Sequence, residues 1–177
     1  MNKFLILCLL ILTIHPAGLV AQSNEFRTTP EFTVALDYDN VGSTTASFRA
    51  GGRTFYGIVG LGYNWRAISD DAMVWKVGAG AHIGHGFLFN TDIELKASFY
   101  STFKEIKTTQ YTLSLLPGLK LTDRFEIYIG PDVSYLQSKH TNNHNLLKKG
   151  ITLWDNENSS RLQHLYIGFT TGIRYRF

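Results

Sequence analysis

The chain has almost no cysteine: Cys8 is the only one among 177 residues, and it lies inside the apolar run from Phe4 to Ile14. Leu7 precedes it where a bacterial lipoprotein signal needs a small residue, so lipidation is not expected. The rest of the chain has no means of forming a disulfide framework or of thiol chemistry. Charge of one sign is equally scarce, the formal net charge being +3, or +2 once Lys3 is removed with its segment. Such a balance singles out no partner, and without a basic stripe no nucleic-acid ligand is expected. Long hydrophobic runs are missing too. A membrane-crossing helix needs about 20 apolar residues, and the run from Phe4, broken at Thr13, offers about half of that.

What the first segment does have is order. Lys3, the apolar run, a break at His15-Pro16 and the small residues Ala17, Gly18 and Ala21 follow one another as in a Sec signal peptide cleaved after Ala21. The expected organisation is a signal at 1–21, a short segment at 22–30 and one domain at 31–177.

Apolar residues at helical spacing do not persist beyond a turn or two in that domain, whereas alternation with period two recurs from end to end. Phe32, Val34, Leu36 and Tyr38 alternate with Thr33, Ala35 and Asp37; Phe55, Val59, Leu61, Tyr63 and Trp65 with Tyr56, Ile58, Gly60, Gly62 and Asn64. The same division separates Trp75 and Val77 from Lys76 and Gly78, Ile93 and Leu95 from Glu94 and Lys96, Leu113 from Ser114, Ile127 and Ile129 from Glu126 and Tyr128, and Ile173 and Tyr175 from Arg174 and Arg176. With a weaker strand from Thr44 to Ala50, eight strands are expected. Turn chemistry separates them at Asp39-Asn40-Val41-Gly42, Gly51-Gly52, Ser69-Asp70-Asp71, Asn90-Thr91 and Thr122-Asp123-Arg124. Short connections between successive strands imply an antiparallel up-and-down meander. The exception is residues 138–161, read as a long surface loop sharing one rim with the turns at 39–43, 66–71 and 104–108.

Alternation alone leaves open which face is inside. The polar face carries many glycines beside charges of both signs, a mixture suited to the narrow lumen of a small barrel, while the apolar face sets aromatics towards strand ends as at two water-lipid interfaces. The last strand closes with Ile173, Tyr175 and Phe177 at alternate positions. In this the sequence resembles bacterial outer-membrane barrels, whose final strand ends on an aromatic and in that family is read by the barrel-assembly machinery. By size and strand count it is similar to the small eight-stranded outer-membrane proteins of the X type and the membrane domain of the A type. The resemblance implies an all-β, eight-stranded antiparallel transmembrane barrel in a Gram-negative outer membrane, monomeric, touching outer-membrane lipid and lipopolysaccharide.

Inside such a wall, Lys76, Lys96, Lys120, Arg174 and Arg176 stand against Asp92, Glu94, Glu126 and Asp132, a set expected to pair rather than line an open pore. No catalytic, cofactor or metal site is expected. His140 and His144 lack a third ligand, and His82 and His85 are read as structural. A barrel enzyme that deacylates lipid A needs a His-x-Ser-Asn arrangement; in His140-Thr141-Asn142-Asn143, Asn142 stands where the serine nucleophile belongs. Lys148, Lys149 and Trp154 of the long segment are the candidates for surface contact. The expected role is non-enzymatic, envelope-structural or surface-interacting; the alternatives are a lipid A-modifying enzyme, a narrow channel and a soluble carrier of lipocalin type.

Overall fold

The computed structural model describes residues 31–39, 42–52, 54–65, 73–102, 105–139, 150–158 and 161–177, and among these every regular element is a strand. The expected signal at 1–21, the segment 22–30, the histidine and asparagine residues at 140–144, and Lys148 and Lys149 lie outside the described residues.

Nine strands form: β1 (Glu31–Asp39), β2 (Ser43–Gly51), β3 (Phe55–Asn64), β4 (Met73–His85), β5 (Phe89–Thr102), β6 (Glu105–Lys120), β7 (Phe125–Ser138), β8 (Ile151–Asn158) and β9 (Arg161–Arg176). All pair antiparallel with their neighbours, and β9 pairs with β1, so eight strands close into a barrel. The ninth, β8, corrects the reading of residues 138–161 as loop. The apolar residues Ile151, Leu153 and Trp154 were too few to stand out as a strand by alternation, and a bulge between Thr152 and Trp154 interrupts it further. A second correction concerns the turn placed at Asn90-Thr91. The chain turns at Gly86 to Leu88 instead, and Asn90 lies within β5, its amide donating into the lumen to Glu126 Oε2 at 2.7 Å.

The register fixes the shape of the wall. Following partners from Lys120 through Glu126, Arg174, Ala35, Ser47, Gly60, Lys76 and Ser98 returns to β6 at Gln110, ten residues further along the strand. Eight strands with this stagger tilt by about 40°, so each residue climbs roughly 2.5 Å along the barrel axis and each strand step roughly 3 Å. At that tilt the 9 or 10 residues of β1, β2 and β3 suffice to cross a bilayer core. The 14 to 16 residues of β5, β6, β7 and β9 carry the opposite side of the wall beyond it.

Polarity is inverted relative to a water-soluble protein. Val34, Leu36, Val59, Trp75, Leu95, Leu113, Ile127, Ile129 and Ile173 are exposed on the outside, whereas Arg49, Lys76, Asp92, Glu94, Lys96, Glu126 and Arg174 are buried within. On the outer wall Phe32, Phe55, Phe89, Phe125, Tyr175 and Phe177 make a lower ring, and Tyr63, Trp75, Phe99, Tyr111 and Tyr135 an upper one. The register puts these rings about 22 Å apart in height, close to the hydrocarbon band that such girdles bracket. The lower ring is almost all phenylalanine; the upper one carries the polar tips of tyrosine and tryptophan.

Glycine serves the lumen at particular places. A Cβ on Gly80 would collide with the ring of Tyr56, and one on Gly172 with the hydroxyl of Tyr128 and the Leu36 carbonyl. These two positions are the slots that let tyrosines lie across a narrow tube. At the upper end of β1, Gly42 takes φ 88°, a left-handed turn. Asp39 fastens it by accepting from Ser43 N (3.2 Å) and Ser43 Oγ (2.5 Å).

Candidate functional site: a charged well beneath an apolar cap

Inward positions near the lower mouth and mid-height of the barrel hold one connected ion-pair network. Arg49 on β2 is its centre: Nε donates to Glu94 Oε1 at 2.9 Å and Nη2 to Asp37 Oδ1 at 3.0 Å. Lys76 Nζ stands 3.7 Å from the other Asp37 oxygen, and Lys96 Nζ 3.1 Å from Glu94 Oε2. Arg174 pairs with Asp92 and lies 3.7 Å from Glu126, while His82 meets Asp92 at 2.6 Å. Tyr56 donates to Glu94 at 2.9 Å and Tyr128 donates to Asp37. The Tyr128 ring also lies under two guanidinium groups, 4.4 Å from Arg174 and 5.7 Å from Arg49.

These charges are buried, so each must be compensated where it stands. An ion in a low-dielectric interior loses several kcal/mol of hydration, and only close, hydrogen-bonded partners return it. Alternate-residue geometry supplies them: every second side chain of eight strands points into the same tube. Asp132 and Asp39, higher up, take hydroxyl donors. Thr170 and Ser134 donate to Asp132 at 2.8 and 3.2 Å, and Ser43 to Asp39 as described. Above them Tyr100, Gln110, Thr112 and Ser134 form a lattice of neutral hydrogen bonds.

Of the charged residues named from sequence, Lys76, Asp92, Glu94, Lys96, Glu126, Asp132 and Arg174 are buried in the lumen. Lys120 and Arg176 are not part of that network, which corrects their assignment. Lys120 Nζ donates to the Gly86 carbonyl at 2.9 Å, and Arg176, partly exposed, lies 3.7 Å from Glu31 at the lower rim. Correct facing did not suffice for them because both stand where the wall ends. The sequence reading left out Arg49, Asp37, Tyr56 and Tyr128. Asp37 was already on the inward parity; Arg49 lay in the strand with the weakest alternation, but an arginine between Phe48 and Ala50 was signal enough. Ile173, Tyr175 and Phe177 all face outward from the last strand, and Trp154 stands exposed on β8.

At the height of the upper aromatic ring the inward residues change character. Val74, Tyr100, Leu136, Leu162 and Tyr166 pack into one buried apolar cluster, and the ring of His164 stacks on Tyr166 at 5.1 Å. Outward residues change in the opposite sense, to Thr109, Gln137, Gln163 and Arg161. Thus β7 runs from Glu126 inside and Ile127 outside to Leu136 inside and Gln137 outside. Above this level the lumen is filled by a mixture, the apolar cluster lying beside the buried, uncharged Thr108 and Ser138, with Thr108 Oγ1 donating to Ser138 Oγ at 2.9 Å. The lower mouth, in contrast, is open to two shallow clefts, one lined by Glu31, Thr33, Arg49, Tyr56, His82, Arg174 and Arg176, the other by Lys120, Arg124, Glu126, Arg174 and Arg176 among others.

A closed eight-stranded wall with charges within and an apolar belt without is the architecture of transmembrane β-barrels. Among solved structures the chain is similar to Neisserial surface protein A, at 14% identity over 84% of this chain and 94% of that one, with a TM-score of 0.40. It is also similar to two de novo designed transmembrane β-barrels. One matches at 16% identity over 85% of this chain and 96% of the design (TM-score 0.39). The other matches at 13% over 88% and 98% (TM-score 0.42). These are likenesses of fold. No protein-family model matches the sequence, and no curated protein matches it.

Proposed function

We propose that this protein is an integral, monomeric outer-membrane barrel, related in type to the small eight-stranded X-type and A-type membrane domains, with a structural or surface-interaction role and no enzymatic activity. The observation that carries the reading is the inverted polarity of the wall below the upper aromatic ring. A belt of greasy side chains outside and charges inside calls for a hydrocarbon solvent, and the outward Gln137 and Gln163 above the ring mark where it ends. In this reading the tight turns face the periplasm and the longer strands reach the outer surface, where Trp154 of β8 meets lipopolysaccharide or a surface partner; Lys148 and Lys149, the other contact candidates of segment 138–161, lie outside the described residues. Ile173, Tyr175 and Phe177, outward on the last strand, suit recognition by the barrel-assembly machinery.

The soluble-carrier alternative needs an apolar cavity, but the buried interior is ionic at mid-height and filled by side chains above. Channel activity is disfavoured by the same filling. Fractionation of cells with a comparison of boiled and unboiled mobility in detergent gels tests the membrane reading: the protein should sediment with outer membranes and run as a compact, heat-modifiable species. Recovery in the soluble periplasmic fraction would overturn it. Overexpression should leave the mass spectrum of lipid A unchanged; loss of an acyl chain would restore the enzyme reading.

A further inference from the structure

Strand β8 does not obey the depth grading of its neighbours. The hydrogen-bonded rows of the outer face read Leu113, Val133, Ile167, Ile151, then Tyr111, Tyr135, Leu165, Trp154, then Thr109, Gln137, Gln163, Asn156. Each row climbs as it passes from β6 towards β8, so Ile151 stands about 3 Å and Trp154 about 8 Å above the mean height of the upper aromatic ring. At the height of Trp154 β7 presents Gln137, whereas β8 presents the exposed indole; Ile151, level with Tyr135, and Leu153, in the bulge between Thr152 and Trp154, are exposed below it. The strip is continuous through Ile167 with Phe169 of the lipid-facing belt.

An exposed apolar strip of this kind marks a contact surface, and its height selects the occupant. Hydrocarbon has ended there, and the headgroup layer of a bilayer is about 5 to 7 Å thick on each side. The polar groups beside the indole are the amides Asn156 and Gln163, with Asn156 Nδ2 3.5 Å from Gln163 Oε1. An indole face flanked by neutral amides matches the apolar faces and hydroxyls of a sugar, and the exposed Arg161, one outward pair further along β9, suits the anionic substituents that such a sugar carries.

We propose that the outer face of β8 is a docking strip for the saccharide headgroups of a glycolipid, with Ile151 and Leu153 against the junction of acyl chain and sugar and Trp154 against the sugar itself. The proposal rests on the outer-membrane reading and adds the lipid class and the strand that meets it.

The chain has three tryptophans, which makes the test direct. Trp65→Phe with Trp75→Phe leaves Trp154 as the sole fluorophore, and Trp65→Phe with Trp154→Phe leaves Trp75 in the belt. Each is reconstituted into phosphatidylcholine vesicles, with and without lipopolysaccharide in both leaflets, and quenched by acrylamide from water and by bromines on the acyl chains. Trp75 should be quenched by bromine and shielded from acrylamide in both vesicles. Trp154 should be open to acrylamide in phosphatidylcholine alone, and its quenching constant should fall severalfold when lipopolysaccharide is present. If Trp154 is equally shielded, or equally open, in the two vesicles, the docking strip is refuted while the membrane reading stands. If Trp75 too escapes the bromines, the membrane reading itself fails.

Discussion

The lower two-thirds of the lumen and its upper end solve one problem in two ways. Below the upper aromatic ring, the tube is filled by ions that compensate one another, with Arg49 bridging Asp37 and Glu94. Above it, the same strands fill the same tube with Leu136, Leu162, Tyr100 and Tyr166 beside the uncharged Thr108 and Ser138. The difference follows the medium outside. Where lipid surrounds the wall, the outward positions hold the apolar residues and the inward ones are left to polar groups. Where the outward residues turn polar, an apolar cluster and hydroxyl groups replace the ions inside. A barrel therefore records its own immersion depth in the facing of its leucines.

The comparison is sharpest where one member of each filling is removed. Arg49→Ala should cost the most, about 3 to 5 kcal/mol, because it removes the one cation that bridges two buried carboxylates, leaving Asp37 to Lys76 and Glu94 to Lys96 alone. Urea titration in lipid vesicles, read by the folded band on unboiled gels, measures it. Leu136→Ala in the cap should cost about 2 to 4 kcal/mol in the same assay by leaving a cavity among Val74, Tyr100 and Tyr166. It should leave planar bilayers non-conducting, since the ion-pair layer below still fills the tube. A larger loss for Leu136→Ala than for Arg49→Ala would reverse the ranking and make the cap the principal stabiliser. Gly172→Val should destabilise by about 1 to 3 kcal/mol through overpacking against Tyr128. Pairing it with Tyr128→Phe should recover part of that loss if the slot is the cause. The smallest effect is expected at the rim: Arg176→Gln removes a partly exposed partner of Glu31 and should change stability by less than about 1 kcal/mol. A rim loss matching that of Arg49 would place Arg176 inside the network after all.

Much of this was legible in the sequence because a strand has a side-chain period of two and a barrel has only two faces. Knowing that Lys96, Glu126 and Arg174 shared parity with the glycines was enough to place them inside, and Leu95 and Ile127 outside. Height was harder. Parity cannot tell Arg174 from Arg176, two residues lower, and only the register shows that one is enclosed and the other at the mouth. Individual pairs were out of reach for a related reason: Arg49 finds Glu94 across a lumen whose stagger of ten is fixed by all eight strands together. The cap was hidden by its own position, since Val74 and Leu136 break the polar parity at the ends of strands where alternation is shortest. Strand β8 was hidden because its partner, the upper half of β9, is supplied from outside its own segment.

That last arrangement bears on how the cylinder opens. The edge of β9 is divided lengthwise, residues 161–167 clasped by β8 and 170–176 by β1. The joint between the first and final wall strands is thus only half as long as the joint of β9 with β7. A zipper parts where its teeth are fewest. Mechanical extraction, thermal fraying or insertion of a new strand should all begin at this single short suture.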